Sequence, residues 1–353
     1  MYRAAAAMSS PGRGSYPATR LAEETDFRCR SLAAALFDVE DPACVVFTSS
    51  ATHGLNIAIK TLVKPGCRVV ISGYEHNAVT RPLHGIPNVE LTVIDAPLFR
   101  PESMLAEFEQ ALDAGADAVI CTHVSNVFGY RLPAEDIAAL CRRRGVPFVL
   151  DASQSAGMLP VSMRELGAAF IAMPGHKGLY GPQGTGLLLC GHEAQPLLEG
   201  GTGSQSLLQH MPQELPDRLE AGTHNMPGIA GLLEGLRFVA EKGIDRIAGH
   251  ERRLAMRAEE QLRGIDGVEL FCEKGFDHQT GVLSFRAAGR DCEELGERLA
   301  AQGAAVRAGL HCAPLAHRTA GTLQTGTVRV SMSVFNTPQE VDRFTAMVRA
   351  AVR

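Results

Sequence analysis

Between about residues 44 and 190, short apolar runs alternate with stretches whose apolar residues recur every three or four positions. CVVFTSS, CRVVISG, VELTVID, AVICTHV and PFVLDAS read as strands. THGLNIAIKTLV and PESMLAEFEQALD read as helices, and PAEDIAALCRRRG as a helix that Pro133 opens and Gly145 closes. Two further apolar runs, AFIAM and TGLLL, flank a glycine-rich turn, PGHKGLYGPQG, that carries Lys177. Alternation of this kind implies a mostly parallel sheet covered by helices on both faces. After about residue 225 the texture changes. LLEGLRFVAEKGIDRIAGHERRLAMRAEEQLRGI reads as two long helices, and GVELF, TGVLSFR, AAVRAG and TVRVSMS as strands. TPQEVDRFTAMVRAAV closes the chain as a helix with Thr337 at its N-cap and Pro338 at its first position.

The expected architecture is α/β, with a smaller α+β unit at the C-terminal end. The divisions fall at residues 1–25 (an N-terminal segment), 26–225 (a large domain) and 226–353 (a small domain). The bulk numbers agree with this: 353 residues, 45% hydrophobic and 21% charged, are ordinary for a globular chain of two domains. A net charge of −5 offers no basic field for nucleic acid or acidic membranes. No apolar run approaches the roughly 20 residues of a membrane helix, and the N-terminal apolar stretch is too short for a signal peptide. A cytoplasmic location is the expectation. The nine cysteines are an odd count with no C-x-x-C pair, which argues against a disulfide framework and a zinc ribbon.

On open α/β sheets, ligands bind beyond the carboxyl ends of the strands, so the residues that follow each strand carry the information. After CVVF come Thr48, Ser49, Ser50, Ala51 and Thr52 at the start of a helix. Such a terminus can hold a phosphate, although capping by Ser50 or Thr52 alone accounts for the pattern. After VVISG come Glu75 and His76; after AVICTHV, Ser125 and Asn126; after PFVL, Asp151 and then Gln154; after AFIAMPGH, Lys177. One sheet edge thus collects a phosphate cradle, an imidazole, an amide, a carboxylate and an amine. A phosphorylated, cationic aromatic aldehyde needs that set: an amine to form an imine, an acid to pair with the ring nitrogen, an imidazole to stack. Pyridoxal 5′-phosphate meets the description.

Eight segments, FTSSATHGLN, EHNAV, HVSNVFG, LDASQSAG, PGHKGLYGPQGTG, EAGTHN, RAGLHCA and VRVSMSVFNTPQEVD, span the chain from about residue 40 to the end. In kind and order they resemble the class V aminotransferase group of fold-type I pyridoxal-phosphate enzymes. Within it the chain is most similar to cysteine desulfurases and selenocysteine lyases of the sulfur-mobilisation branch. The resemblance implies a mostly parallel sheet of seven-stranded type. It also implies roles. Lys177 matches the Schiff-base lysine, His76 the ring-stacking histidine, Asp151 the acid at the ring nitrogen and Gln154 the amide near the ring oxygen. Asn126 matches the asparagine beside cofactor and substrate carboxylate. Ala51, Thr52 and His176 match phosphate ligands. Thr223 matches a threonine that reaches the phosphate of the neighbouring subunit's cofactor, which implies a homodimer. Arg329 matches the clamp on the substrate carboxylate, Arg307 a second active-site arginine and Cys312 the nucleophile.

Cys312 also has a case from its surroundings. GLHCAPLAHRTAGTLQTGT is rich in Gly, Thr and His and reads as a loop between two strands. A thiol there among His311, His317 and Arg318 sits in the electropositive setting that favours a thiolate. The chain departs from the family pattern at two points. The D-N-A-A-type motif of the family's front is not found, and PGRGSY resembles the segment after the usual first helix, which would place Arg13 near the substrate entrance. Pro174 stands where the family has Ser, so a phosphate-facing hydroxyl is lost and weaker cofactor binding is implied. The implied reaction converts L-cysteine to L-alanine and leaves a persulfide on Cys312 for a sulfur-acceptor protein. The alternatives are selenocysteine or cysteine-sulfinate lysis, another pyridoxal reaction (epimerisation or β-elimination), or an inactive homologue lacking its front.

Overall fold

The computed structural model describes residues 1–12 and 14–353. Seven strands form the large sheet: β1 (Val45–Thr48), β2 (Arg68–Ser72), β3 (Glu90–Ile94), β4 (Ala118–Thr122), β5 (Phe148–Asp151), β6 (Phe170–Pro174) and β7 (Gly186–Cys190). Their order is β1-β7-β6-β5-β4-β2-β3. Strand β7 runs antiparallel to both its neighbours, and the remaining pairs are parallel. The reason is local: β6 and β7 are joined by the Lys177 turn, a hairpin-like return, whereas the parallel strands are joined by helical crossovers.

Both faces of this sheet are buried, and the two-residue strand period sorts the side chains between them. In β4, Val119 and Cys121 enter one core with Phe37, Phe108 and Phe148, while Ala118 and Ile120 enter the other with Leu55, Ile59 and Phe170. In β6, Ile171 and Met173 join the first core and Phe170 and Ala172 the second. This is why these strands read as continuous apolar runs rather than alternating ones.

A second sheet holds β8 (Val268–Phe271), β9 (Val282–Ala287), β10 (Arg307–Gly309) and β11 (Thr327–Ser331) in the order β10-β11-β9-β8, all antiparallel. Its core takes Leu254 and Leu262 from helix Ile244–Arg263, Leu295 from helix Cys292–Ala301 and Phe344 from helix Pro338–Val352. Thr337 and Glu340 cap the last helix reciprocally. A short helix, Tyr2–Ala7, opens the chain; the next, Pro17–Phe37, runs continuously through position 25 and packs on helix Met226–Lys242.

The two sheets meet at the carboxyl edge of the large one. The Asn77 N–H donates to the Cys312 carbonyl (2.8 Å) and Asn126 Nδ2 to the His311 carbonyl (2.9 Å). Arg329 Nη1 donates to the Asn126 carbonyl (2.8 Å), and Thr319 Oγ1 to the Gly73 carbonyl (3.1 Å). Gly73 makes the last contact possible, since a Cβ there would stand 2.5 Å from Thr319 Oγ1. The stretch expected to be a loop between β10 and β11 contains a short helix, Pro314–Thr319, and a fully buried His317. Pro314 at its start supplies the preset φ, and Ala316 and His317 face inward.

Candidate active site

Each strand end delivers one group. Ser50 caps helix Ala51–Leu62, its hydroxyl accepting from the His53 N–H (3.2 Å). Capping therefore falls to Ser50. The Ala51 and Thr52 N–H groups, which have no acceptor within a helix by geometry, are left at the positive end of the helix dipole. His76 caps the next helix, Asn77–His84, with Nδ1 accepting from the Ala78 N–H (3.0 Å). That bond fixes a neutral ring with hydrogen on Nε2. Burial lowers the His76 pKa first, with the charges of Lys177, Arg307 and Arg81 adding and that of Asp151 opposing.

Asp151 ends β5 at 2% exposure, and its Oδ1 accepts from the Ser153 N–H (2.9 Å). Gln154, half-buried, follows in the same turn. Lys177 stands in the β6–β7 turn, tied by bonds from the Tyr180 N–H to the Lys177 carbonyl (2.9 Å) and from the Gly181 N–H to the Gly175 carbonyl (2.7 Å). Gly157, at φ 81°, lets the Gly178 carbonyl pass where any side chain would collide. Lys177 is an exposed residue, yet protein crowds its amine enough to lower its pKa. Desolvation is the main cause, Asp151 opposes it, and Arg329 and Arg307 reinforce it. His176 beside it is exposed, and its pKa is also lowered, by desolvation and then by Lys177. Pro174 ends β6 opposite Gly186.

The small sheet closes the cleft. Arg307 and Arg329 are direct cross-strand partners on β10 and β11. Arg329 is half-buried, its Nε has no partner among the described residues, and its pKa is lowered by burial and then by Arg307. Asn126 is 8% exposed, and its Oδ1 is likewise buried without a partner among the described residues. Arg307 Nη2 lies 3.3 Å from the exposed Cys312 sulfur. The cation against the thiol is therefore Arg307, rather than the His311, His317 and Arg318 expected from sequence. His311 and His317 are buried, face each other and are held neutral, with pKa values pushed down to about 3 and about 4 by burial. Lys177, Arg307 and Arg329 against Asp151 give the cleft a positive balance, suited to an anionic ligand.

Thr223 is exposed and lines a cavity of about 260 Å³ with Ser49, His53 and Gly186 of the same chain. Arg13, the expected entrance residue, lies outside the described residues.

Two groups of functional weight have no role assigned to them from sequence. Glu75 is fully buried beside Asp151, and its Oε1 accepts from the Ser72 hydroxyl and from the Thr122 N–H (2.7 Å). Desolvation raises its pKa to about 8 and Asp151 adds to the rise, so it is mostly neutral at pH 7. The strand-end position was a signal; the missing information was that Glu75 turns inward. The second group anchors the segment that bears Thr223. Glu220 forms a two-point pair with Arg30 (2.7 and 2.7 Å) and also accepts from the Phe47 N–H (2.6 Å). His224 bridges Glu220 (3.2 Å) and Asp26 (3.3 Å), and Asp26 pairs with Arg30 (2.8 Å). The His224 pKa is raised, first by the Asp26 hydrogen bond.

The class-V aminotransferase family model matches residues 4–344. A probable cysteine desulfurase of Mycolicibacterium paratuberculosis is 36% identical over 86% of this chain and 46% of its own length. One from Pyrococcus abyssi is 32% identical over 88% of this chain and 79% of its own length. The chain spans about half the length of the two mycobacterial relatives it matches, 46% and 51%. Among solved structures, the apo cysteine desulfurase of Thermococcus onnurineus superposes with a TM-score of 0.89 at 30% identity, covering 98% of this chain and 88% of that one. The cysteine desulfurase CsdA of Escherichia coli, in an S-sulfonic acid form, superposes with a TM-score of 0.86 at 25% identity, covering 99% and 90%. The chain belongs to the class-V aminotransferase family, on its cysteine desulfurase branch.

Proposed function

We propose that this chain is a pyridoxal-phosphate-dependent cysteine desulfurase, releasing L-alanine from L-cysteine and leaving the sulfur as a persulfide on Cys312. The observation that carries the reading is convergence: Lys177, Asp151 and His76 from the large sheet share one cleft with Arg329, Arg307 and Cys312 from the small one.

The residues present fit the cofactor. Asp151 is a buried carboxylate with no ion-pair partner among the described residues, which suits a protonated ring nitrogen. The helix start at Ala51 and Thr52 offers N–H groups to a phosphate, with His176 and Gln154 at the neighbouring strand ends. The orphaned Asn126 Oδ1 and Arg329 Nε call for polar partners that a ligand would bring. When bound, pyridoxal phosphate supplies an electron sink for the bonds at the substrate Cα.

The chain's own residues do the rest. Arg329, planar and desolvated, clamps the substrate carboxylate, with Asn126 beside it. The crowding that lowers the Lys177 pKa favours its free amine, the form that takes up and returns protons at Cα. His76, neutral and held through Nδ1, is the residue that would stack on the cofactor ring. Cys312 Sγ bonds the substrate sulfur; the C–S bond breaks, its electron pair leaves with the three-carbon fragment, and protonation yields alanine. Arg307 Nη2, 3.3 Å from the Cys312 sulfur, holds it in place for attack.

The homodimer, a sulfur-acceptor protein and a cytoplasmic setting belong to the same reading; among the described residues no helix is long and apolar enough to cross a membrane. The test is stoichiometric release of alanine and sulfide from L-cysteine, with a reductant present, by cofactor-loaded protein and by Cys312→Ala. Loss of sulfide in the variant supports the reading. Equal sulfide from both proteins, or none from the unmodified one, refutes it.

A further inference from the structure

Beneath the Cys312 loop lie two buried histidines that the proposed reaction does not use. His311 is 2% exposed and His317 0%. Their ring planes lie within 12° and their centroids 5.4 Å apart, with His311 Nδ1 3.2 Å from His317 Nε2. The rings therefore meet edge to edge, as an N–H···N bond requires. The other ends are also bonded: His311 Nε2 to the Arg307 carbonyl (3.2 Å), and His317 Nδ1 to Thr322 Oγ1 (2.7 Å).

The carbonyl end sets every hydrogen. A carbonyl only accepts, so His311 Nε2 carries the hydrogen and Nδ1 accepts. His317 Nε2 then donates to it, and His317 Nδ1 accepts from the Thr322 hydroxyl. Both rings are neutral in this arrangement, in line with their burial.

The chain of bonds ends where the backbone is least comfortable. His311 and Cys312 are consecutive non-glycine residues in the left-handed region, at φ 54° and 56°. Such conformations persist only where the surroundings hold them. Here the large domain holds the two carbonyls, through Asn126 and Asn77, and the small domain holds the His311 ring.

We propose that His311, His317 and Thr322 are positioning residues: their hydrogen-bonded chain locks the left-handed turn and thereby keeps the Cys312 sulfur against Arg307 at the mouth of the cleft. The inference rests on Cys312 being the nucleophile. It predicts a selective effect. Loosening the turn harms steps that need the thiol and spares those that do not, such as release of alanine from L-cysteine sulfinate, whose sulfur leaves without thiol attack.

The test uses the cofactor-loaded full chain with Thr322→Val, which removes only the hydroxyl, Thr322→Ser, which keeps it, and His317→Phe. Three rates are read: sulfide from L-cysteine, alanine from L-cysteine sulfinate, and alkylation of Cys312 by iodoacetamide, followed on its own peptide. Thr322→Val and His317→Phe are expected to lower kcat for sulfide release at least tenfold with KM within twofold. Cys312 alkylation slows several-fold, because the sulfur leaves the guanidinium. Sulfinate turnover stays within twofold, and Thr322→Ser recovers all rates. Unchanged alkylation and sulfide release in Thr322→Val would overturn the proposal, as would a parallel fall in sulfinate turnover. If the unmodified protein makes no sulfide, the desulfurase reading fails, while the alkylation rates still decide whether these residues position the thiol.

Discussion

Glu220→Ala removes the centre of the charge cluster under the Thr223 segment, and the structure sets the size of the effect. Oε1 accepts from Arg30 Nη1 and the Phe47 N–H, and Oε2 from Arg30 Nη2, while His224 lies 3.2 Å away. Arg30 is 5% exposed and Glu220 7%. Breaking a buried pair from one side costs about 3–5 kcal/mol, because the other charge stays buried. Asp26 still holds Arg30 Nε at 2.8 Å, which places the cost near the lower end, about 3 kcal/mol. With a urea m-value of about 3 kcal/mol/M, the midpoint of unfolding falls by roughly 1 M. Thr223 lies three residues along, so affinity for pyridoxal phosphate should fall as well. Removing both charges in Arg30→Met/Glu220→Leu should recover much of the loss, since a well-packed apolar replacement of a buried pair is often neutral. The assay is urea unfolding of the apo-protein at pH 7, with cofactor titration of each variant. A loss under about 1 kcal/mol for Glu220→Ala, or a double variant no better than the single, would refute the reasoning.

Glu75→Gln keeps the acceptor for Ser72 and Thr122 and replaces a carboxyl that is already mostly neutral, so stability and cofactor binding should change little, whereas Glu75→Ala orphans the Thr122 N–H and should cost about 1–3 kcal/mol. Equal losses in thermal unfolding of the two variants would contradict this. Acid should destabilise the protein through His311 and His317: their folded pKa values of about 3 and about 4 lie below the unfolded value, so stability is fully present above about pH 6.5 and is lost as pH falls toward them. Between pH 6.5 and 5 each contributes a loss of about 2 kcal/mol; His53, His76 and His176 shift in the same direction and add to the slope. His317→Phe should lower that slope by nearly one proton in a pH series of unfolding, and an unchanged slope would sink the assignment. Arg329→Ala should lower kcat/KM for L-cysteine about thirtyfold or more, a loss of roughly 2 kcal/mol for a desolvated charge contact. An equal drop in cofactor affinity, measured by titration, would remove its role as the carboxylate clamp.

The large sheet was legible because its strands are buried on both faces and its helices carry clear ends. Helix Pro101–Asp113 matches its expected bounds, and Gly145 closes helix Ala134–Arg144 at φ 66°. The positions after the strands were legible for the same reason, since topology alone sends Asp151 and Lys177 to one edge. What sequence could not supply was direction. His317 and Glu75 look like polar loop residues, yet both turn inward, and only the packed fold says so. Helices Pro17–Phe37 and Cys292–Ala301 carry a weak sequence signal because their apolar residues are mostly small or interrupted by charge. The Arg30–Glu220 pair joins residues far apart in the chain, a separation at which no local pattern carries information.

The central claim is that Lys177 holds the cofactor, and the chain's lysines make it unusually easy to test. There are five, at positions 60, 64, 177, 242 and 274. Protein loaded with pyridoxal phosphate is reduced with borohydride, digested and mapped by mass spectrometry. The account predicts one pyridoxyl phosphate per chain, on Lys177, and none in Lys177→Ala. Stoichiometric label on another lysine, or label that survives the substitution, would contradict it.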